Sequence, residues 1–250
     1  MFGMSAPGTG GREEEALLAS PRSAAFLTVG VATLTAVLFV LVGLHGTLLR
    51  AQRIDNAWLR LMISGRAQPL TVIAKVFNVL GLVYVTLPVR IALAGFLALR
   101  RRWWHLAAFA GAVIMSELLI GPLKGAYDRP RPPGSLVATS GGSFPSGHAV
   151  AASVTVIAAV IALVPPGRRR ALWGAVAVAF AILMGLSRAY LAAHWLSDAT
   201  AGILLGTSCA LTTALVTDRL QRRRHARKNP AGRDADLDDV LVPGHAEARG

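Results

Sequence analysis

Cysteine is almost absent from this chain: Cys209 stands alone among 250 residues. A single thiol closes no intrachain disulfide, and there is no CxxC pair to hold zinc or run redox chemistry. Acidic residues are scarce, 13 against 26 Lys and Arg. They form neither HExxH nor a carboxylate cluster, so no metal and no cofactor is expected. Charged residues make up only 16% of the chain, 54% is hydrophobic, and the mean hydropathy is +0.52. Soluble domains sit nearer ~25% charged and ~45–50% apolar. An ordinary soluble enzyme is thereby excluded.

What the sequence has instead is long apolar blocks. A block of ~18 or more such residues can cross a bilayer as a helix. The pattern predicts an all-α, polytopic membrane protein with a six-transmembrane-helix bundle, forming one domain over 23–217. The spans fall at about 23–46, within 69–99, and at about 103–123, 147–164, 171–190 and 197–217. The 69–99 block is long for one helix and short for two. Gly81 allows a break, but one tilted helix with an interfacial start is expected. Residues 48–68 mix charge with Ile54, Trp58, Leu59 and Met62, as an amphipathic helix at the interface does. Residues 1–22 and 218–250 read as disordered cytoplasmic tails. Glu13, Glu14 and Glu15 precede the first block, where a secretory leader carries positive charge, so that block reads as a retained helix. Cys209 lies inside the last block and reads as a small core residue.

A net charge of +13 would suggest nucleic acid in a soluble protein. Here the excess gathers in short clusters beside apolar blocks. Arg100, Arg101 and Arg102 form one, Arg168, Arg169 and Arg170 another, and Arg222, Arg223, Arg224 and Lys228 a third. The positive-inside rule sets all three in the cytoplasm, with no nucleic-acid partner. Six spans then put both termini inside. Arg50, Arg53, Arg60 and Arg66, against Asp55 alone, run mildly against the trend.

Three polar segments fall on the opposite, outer face. One runs from Lys124 through Arg131 and Pro132. The second is Ser143-Phe144-Pro145-Ser146-Gly147-His148. The third runs from Ser187 and Arg188 to His194 and Asp198. The topology was set by other residues, so their shared side is an independent consistency check. Lys124, Arg131 and Arg188 bring three cations to one face, and such groups bind phosphate oxygens. Ser146 and Gly147 stand at a helix start, where free N–H groups and the dipole attract an anion. His194 and Asp198 are four apart and share a helix face, so the carboxylate can hold one ring N–H and leave the other nitrogen to attack. His148 suits a general acid, then base. Together the set reads as phosphoryl transfer.

Each motif alone has a plainer reading. Pro-Ser-Gly is ordinary punctuation before a helix. Juxtamembrane cations meet lipid headgroups. Asp198 can serve as a helix-start carboxylate.

The three in order resemble the type 2 phosphatidic acid phosphatase (PAP2) superfamily, which includes the vanadium haloperoxidases. Its pattern is Lys-x6-Arg-Pro, Pro-Ser-Gly-His, then Ser-Arg-x5-His-x3-Asp, and every position is matched between 124 and 198. The resemblance implies that His194 forms a phosphohistidine, with Asp198 orienting it. It implies that His148 protonates the leaving oxygen and then activates water. Lys124, Arg131, Ser146, Gly147 and Arg188 are implied to bind the phosphate, without metal. Arg129, in a second Arg-Pro pair, is expected near the site with its role open.

The expected function is a metal-independent membrane phosphatase acting on a lipid phosphate or diphosphate. Polyprenyl diphosphate, phosphatidate, phosphatidylglycerol phosphate and diacylglycerol pyrophosphate all qualify, because the motifs read the phosphate and not the tail. Alternatives are transfer to another acceptor, a vanadate-dependent haloperoxidase, and a lipid-binding or transport protein without catalysis. The expected setting is the bacterial plasma membrane, with the site on the extracytoplasmic face and membrane lipids as neighbours. The motifs leave oligomeric state open.

Four secondary expectations complete the reading. Arg90 and Glu117 lie inside apolar spans, where charges are costly and usually paired. Helical rise brings them to similar depth, so an ion pair between spans two and three is expected, with inward snorkelling of Arg90 the competing reading. His45 should be interfacial, and His105 should lie at the inner end, away from the chemistry. Gly202 and Gly206 form a GxxxG packing face. Residues 133–142, rich in Gly and Ser, suggest a flexible lid.

Overall fold

The computed structural model describes residues 17–18, 20–43 and 45–228. The expectations for 1–16, for 229–250 and for the His45 side chain lie outside the described residues. All regular structure among them is helical: α1 (Pro21–Gly43), α2 (His45–Ser64), α3 (Gln68–Leu80), α4 (Val83–Leu99), α5 (Trp103–Tyr127), α6 (Gly147–Leu163), α7 (Arg168–Tyr190) and α8 (Leu196–Lys228). Helices α1, α5, α7 and α8 are each long and apolar enough to cross a bilayer, and α3 with α4 makes a fifth span across a bend. The chain is an integral membrane protein. The remaining expected span, at 147–164, corresponds to α6, which has only 17 residues.

Helix α6 forms the centre. Ala149, Val150, Ala152, Val154, Ala158 and Ala162 are buried. Small side chains let neighbouring backbones close in, as membrane bundles require. Gly202 and Gly206 of α8 serve this contact. A Cβ at Gly206 would stand 2.1 Å from Ser153 Oγ, and one at Gly202 would stand 2.6 Å from the Ser146 carbonyl. The GxxxG pair therefore packs α8 against the start of α6, where the Pro-Ser-Gly-His motif lies. Large apolar side chains such as Phe26, Ile91 and Trp173 face outward. That distribution suits lipid.

The 69–99 block is not one tilted helix. It breaks between Leu80 and Val83, and the halves bend by 52°. Gly81 is needed there for space rather than for its backbone angle. A Cβ on it would lie 2.4 Å from the His148 ring.

The end of the bundle that carries the arginine clusters is more ordered than composition suggests. Helix α8 continues past 217 to Lys228. Buried Asp218 accepts from Arg222 Nε at 2.7 Å and from the Leu18 N–H at 3.2 Å. Arg222 donates to the Leu18 carbonyl and Arg170 to that of Leu17. Leu17 is fully buried. A buried carboxylate needs partners, and these fasten residues 17 and 18, expected to be disordered, to the bundle.

Arg90 and Glu117 form the expected pair, Nη1 to Oε1 at 2.7 Å. Arg90 also donates to Thr155 Oγ1 at 2.9 Å, tying α4 to α6 as well as α5. His105 is buried near the start of α5, 2.9 Å from Arg102. Lys124 lies in the last turn of the same helix.

Candidate active site

The site gathers where α5 and α7 end and where α6 and α8 begin. Lys124 donates to the Gly142 carbonyl at 2.8 Å. Arg131 donates to the carbonyls of Gly141 at 3.0 Å, Ser140 at 2.7 Å and Ala193 at 2.7 Å. The Leu136 N–H bonds the Leu191 carbonyl, and Arg66 bonds that of Gly134. The 133–142 loop, expected as a flexible lid, is thus strapped down along its length by the cations it passes.

Ser146 is the N-cap of α6, yet its hydroxyl makes no capping bond. Its N–H is held by the Asp198 carbonyl at 3.0 Å. The position a Cβ would take on Gly147 faces open space. The His148 ring packs on Gly81, at the helix break. Arg188, buried in the last turn of α7, donates through Nη1 to the Asn78 side-chain oxygen.

His194 follows a tight turn in which Ala192 takes a left-handed φ of 51°. That conformation costs roughly 1–2 kcal/mol outside glycine. The turn lets the Ala193 and His194 N–H groups both bond the Arg188 carbonyl. His194 Nδ1 lies 2.7 Å from the Ser143 carbonyl. A carbonyl only accepts, so Nδ1 carries the proton. Nε2 then has its lone pair free, and Arg131 Nη1 donates to it at 3.2 Å. Burial lowers the His194 pKa to about 4, with Arg131 and Arg188 adding to the effect and Asp198 opposing it. The ring is neutral at pH 7.

Asp198 does not hold the imidazole as expected. Its Oδ2 is 3.6 Å from Nδ1 and instead accepts from the Trp195 N–H at 2.9 Å. Three residues into α8, it reaches back to the N-cap as in a capping box. Its Oδ1 accepts from Arg129 Nη1 at 2.6 Å. The orienting carbonyl of Ser143 came from a segment where only side chains had been read.

The structure brings together Lys124, Arg131, Ser146, Gly147, His148, Arg188, His194 and Asp198. Arg129, expected near the site with its role open, is there too, and the structure adds Asn78 on α3, the Ser143 carbonyl, and Asp55 with Gln52 on α2. The one signal for Asp55 was its isolation, a single acid in a basic segment. Nothing marked Asn78.

Among the described residues, six buried side-chain polar atoms lack a hydrogen-bond partner, and Ser146 Oγ, His148 Nε2 and Arg188 Nε are three of them. Each such atom costs about 1–3 kcal/mol. A hydroxyl, a guanidinium N–H and an imidazole nitrogen are the groups a phosphate ester would satisfy. No group of three or more His, Cys, Asp or Glu among the described residues is placed to hold a metal ion.

Comparison with known proteins agrees with this geometry. Residues 105–222 match the sequence profile of the PAP2 superfamily. No curated protein matches the chain. A transmembrane PAP2-type phosphatidylglycerolphosphate phosphatase from Bacillus subtilis shares the fold, with a TM-score of 0.61 and 23% identity over 78% of this chain and 96% of that one. LpxE from Aquifex aeolicus aligns with a TM-score of 0.52 and 25% identity over 62% of this chain and 91% of that one. The matched segment contains all three motifs, so the part of the chain that carries the candidate site is similar to the PAP2 superfamily.

Proposed function

We propose that the protein is a metal-independent lipid phosphatase that works through a phosphohistidine on His194. The observation that carries this is that three unpartnered polar atoms, on Ser146, His148 and Arg188, share the site with an imidazole whose Nδ1 carries the proton and whose Nε2 lone pair meets Arg131. Nε2 attacks phosphorus, the bond from phosphorus to the lipid oxygen breaks, and His148 gives that oxygen a proton. His148 then takes a proton from water, the water oxygen attacks phosphorus, and the phosphorus–nitrogen bond breaks to release phosphate. Arg131 leaves Nε2 for a phosphate oxygen as the substrate arrives. Lys124, Arg188, Ser146 and the Gly147 N–H bind the remaining charge, which is most of what phosphoryl transfer needs.

A lipid rather than a soluble ester fits a site set at one end of a bilayer-spanning bundle. The Bacillus subtilis neighbour is a phosphatase of a phospholipid phosphate. Polyprenyl diphosphate and phosphatidate are the substrates to test first. The proposed topology has six spans, counting α3 with α4 as one and α6 as another. It places the arginine clusters in the cytoplasm and the site on the outer face of a bacterial plasma membrane.

The test is phosphate release from a panel of lipid phosphates by purified protein in chelator, with His194→Ala alongside. Wild type should turn over at least one lipid, and the variant should fold and be inert. An acid-labile, base-stable phosphoenzyme should form on wild type alone. A folded His194→Ala protein with full activity would overturn the mechanism.

A further inference from the structure

Asp55 is the single acid on a helix that shows Arg53 and Arg60 to its surroundings, yet it is 2% exposed. Burying a carboxylate is costly unless every oxygen is satisfied. Here each is. Asp55 Oδ1 accepts from the Ser197 N–H at 2.9 Å, and Oδ2 accepts from Ser197 Oγ at 2.6 Å and Arg129 Nη2 at 2.7 Å. The other arm of the same guanidinium donates to Asp198 Oδ1 at 2.6 Å. Gln52 accepts from Nη2 at 2.8 Å, and the Trp195 ring lies 5.6 Å from the guanidinium carbon. Asp198 Oδ2 is 3.6 Å from His194 Nδ1. A bonded chain therefore runs from α2 through Arg129 to Asp198, which faces the imidazole as a nearby charge and not as a hydrogen-bond partner.

We infer that Asp55 is a positioning residue for the His194 reaction, acting through Arg129. The inference rests on the phosphohistidine reading and adds a charge argument to it. Two carboxylates share one guanidinium, leaving one negative charge in excess beside Nδ1. When Nε2 takes the phosphoryl group, the ring keeps its Nδ1 proton and becomes cationic. The excess charge favours that state over the neutral ring. Without Asp55, Arg129 and Asp198 cancel and the excess is gone. Asp55 also holds the arginine fork in the one orientation that reaches Asp198.

Orthovanadate and turnover of dioctanoyl phosphatidate test this on the full chain in detergent. Orthovanadate stands in for the phosphoryl group in transfer, so its binding senses the ring as the reaction does and needs no turnover. Asp55→Asn should weaken orthovanadate binding and lower kcat at least tenfold each. KM and inhibition by inorganic phosphate should stay within twofold. Asp55→Glu, which keeps the charge, should recover much of the loss. A folded Asp55→Asn protein with unchanged vanadate affinity overturns the inference. So does an equal loss in both variants that follows a fall in melting temperature, since that is the mark of a purely structural bolt. Should Asp55→Asn fail to fold, Asp55→Ser makes the same cut: it removes the charge with a smaller polar side chain, and it must give the same vanadate loss. If wild type neither binds vanadate nor depends on His194, the phosphohistidine reading itself has failed, whatever Asp55 does.

Discussion

A histidine that attacks phosphorus must be unprotonated, and burial keeps His194 so, as the proposed mechanism requires. With its pKa near 4 rather than 6.5, the ring proposed as nucleophile stays neutral through mildly acidic conditions. The acid limb of kcat/KM, corrected for ionisation of the substrate phosphate, should therefore fall near pH 4. A limb at 6.5 would mean that water reaches the ring. Stability carries the same sign. The unfolded chain binds more protons than the folded one between about pH 4 and 6.5, so stability rises with pH across that window and is lost as pH falls through it. Melting of His194→Ala should depend less steeply on pH there than melting of wild type. The residues themselves were legible because phosphoryl transfer demands particular chemical types at particular spacings. The contacts of Asp198 were not. Helical spacing put His194 and Asp198 on one face, but His194 precedes α8 and sits in the turn, so Ser143 could take the Nδ1 proton instead.

At the scale of elements, the broken span does more than cross the bilayer. The end of α3 supplies Asn78 to Arg188, and Gly81 gives His148 room for its ring. Gly81→Ala should drive its new methyl into that ring. His148 moves, and the acid–base contribution, worth ~10²–10⁴-fold, is largely lost. Cleavage of an aryl phosphate, whose leaving oxygen needs little protonation, should suffer far less than cleavage of a lipid phosphate. Equal losses on both would show that the substitution harms more than His148. The apolar block and its glycine were visible in sequence, but the choice between tilt and break was not. What decides it is a contact with a histidine far along the chain, and periodicity within one block holds no trace of that. Arg90 and Glu117 were legible for the opposite reason. Two charges in apolar surroundings, offset in depth by no more than a long arginine can bridge, leave few partners, and the pair forms where inward snorkelling of Arg90 was the competing reading.

At the scale of the molecule, α5 separates two chemistries. Arg102 precedes it, Lys124 closes it, and its 25 residues span about 37 Å, enough to cross the ~30 Å hydrocarbon core. Helix α7 repeats the arrangement, with Arg168 at its start and Arg188 in its last turn. The basic clusters therefore share one end and the cations of the candidate site the other. The positive charge of α2 then falls on the site's side, against the usual bias. Arg50, Arg53, Arg60 and Arg66 are outnumbered by the three clusters at the opposite end, which weigh more in setting orientation. Thiol labelling reads the result directly. Cys209 is 1% exposed and gives no background to an impermeant maleimide. Thr139→Cys places a thiol on the exposed loop over the site, and Arg223→Cys places one at the exposed end of α8. In intact cells the first should react and the second only after lysis. The reverse order would put the site on the cytoplasmic leaflet, and the substrate would then have to be a lipid phosphate exposed there.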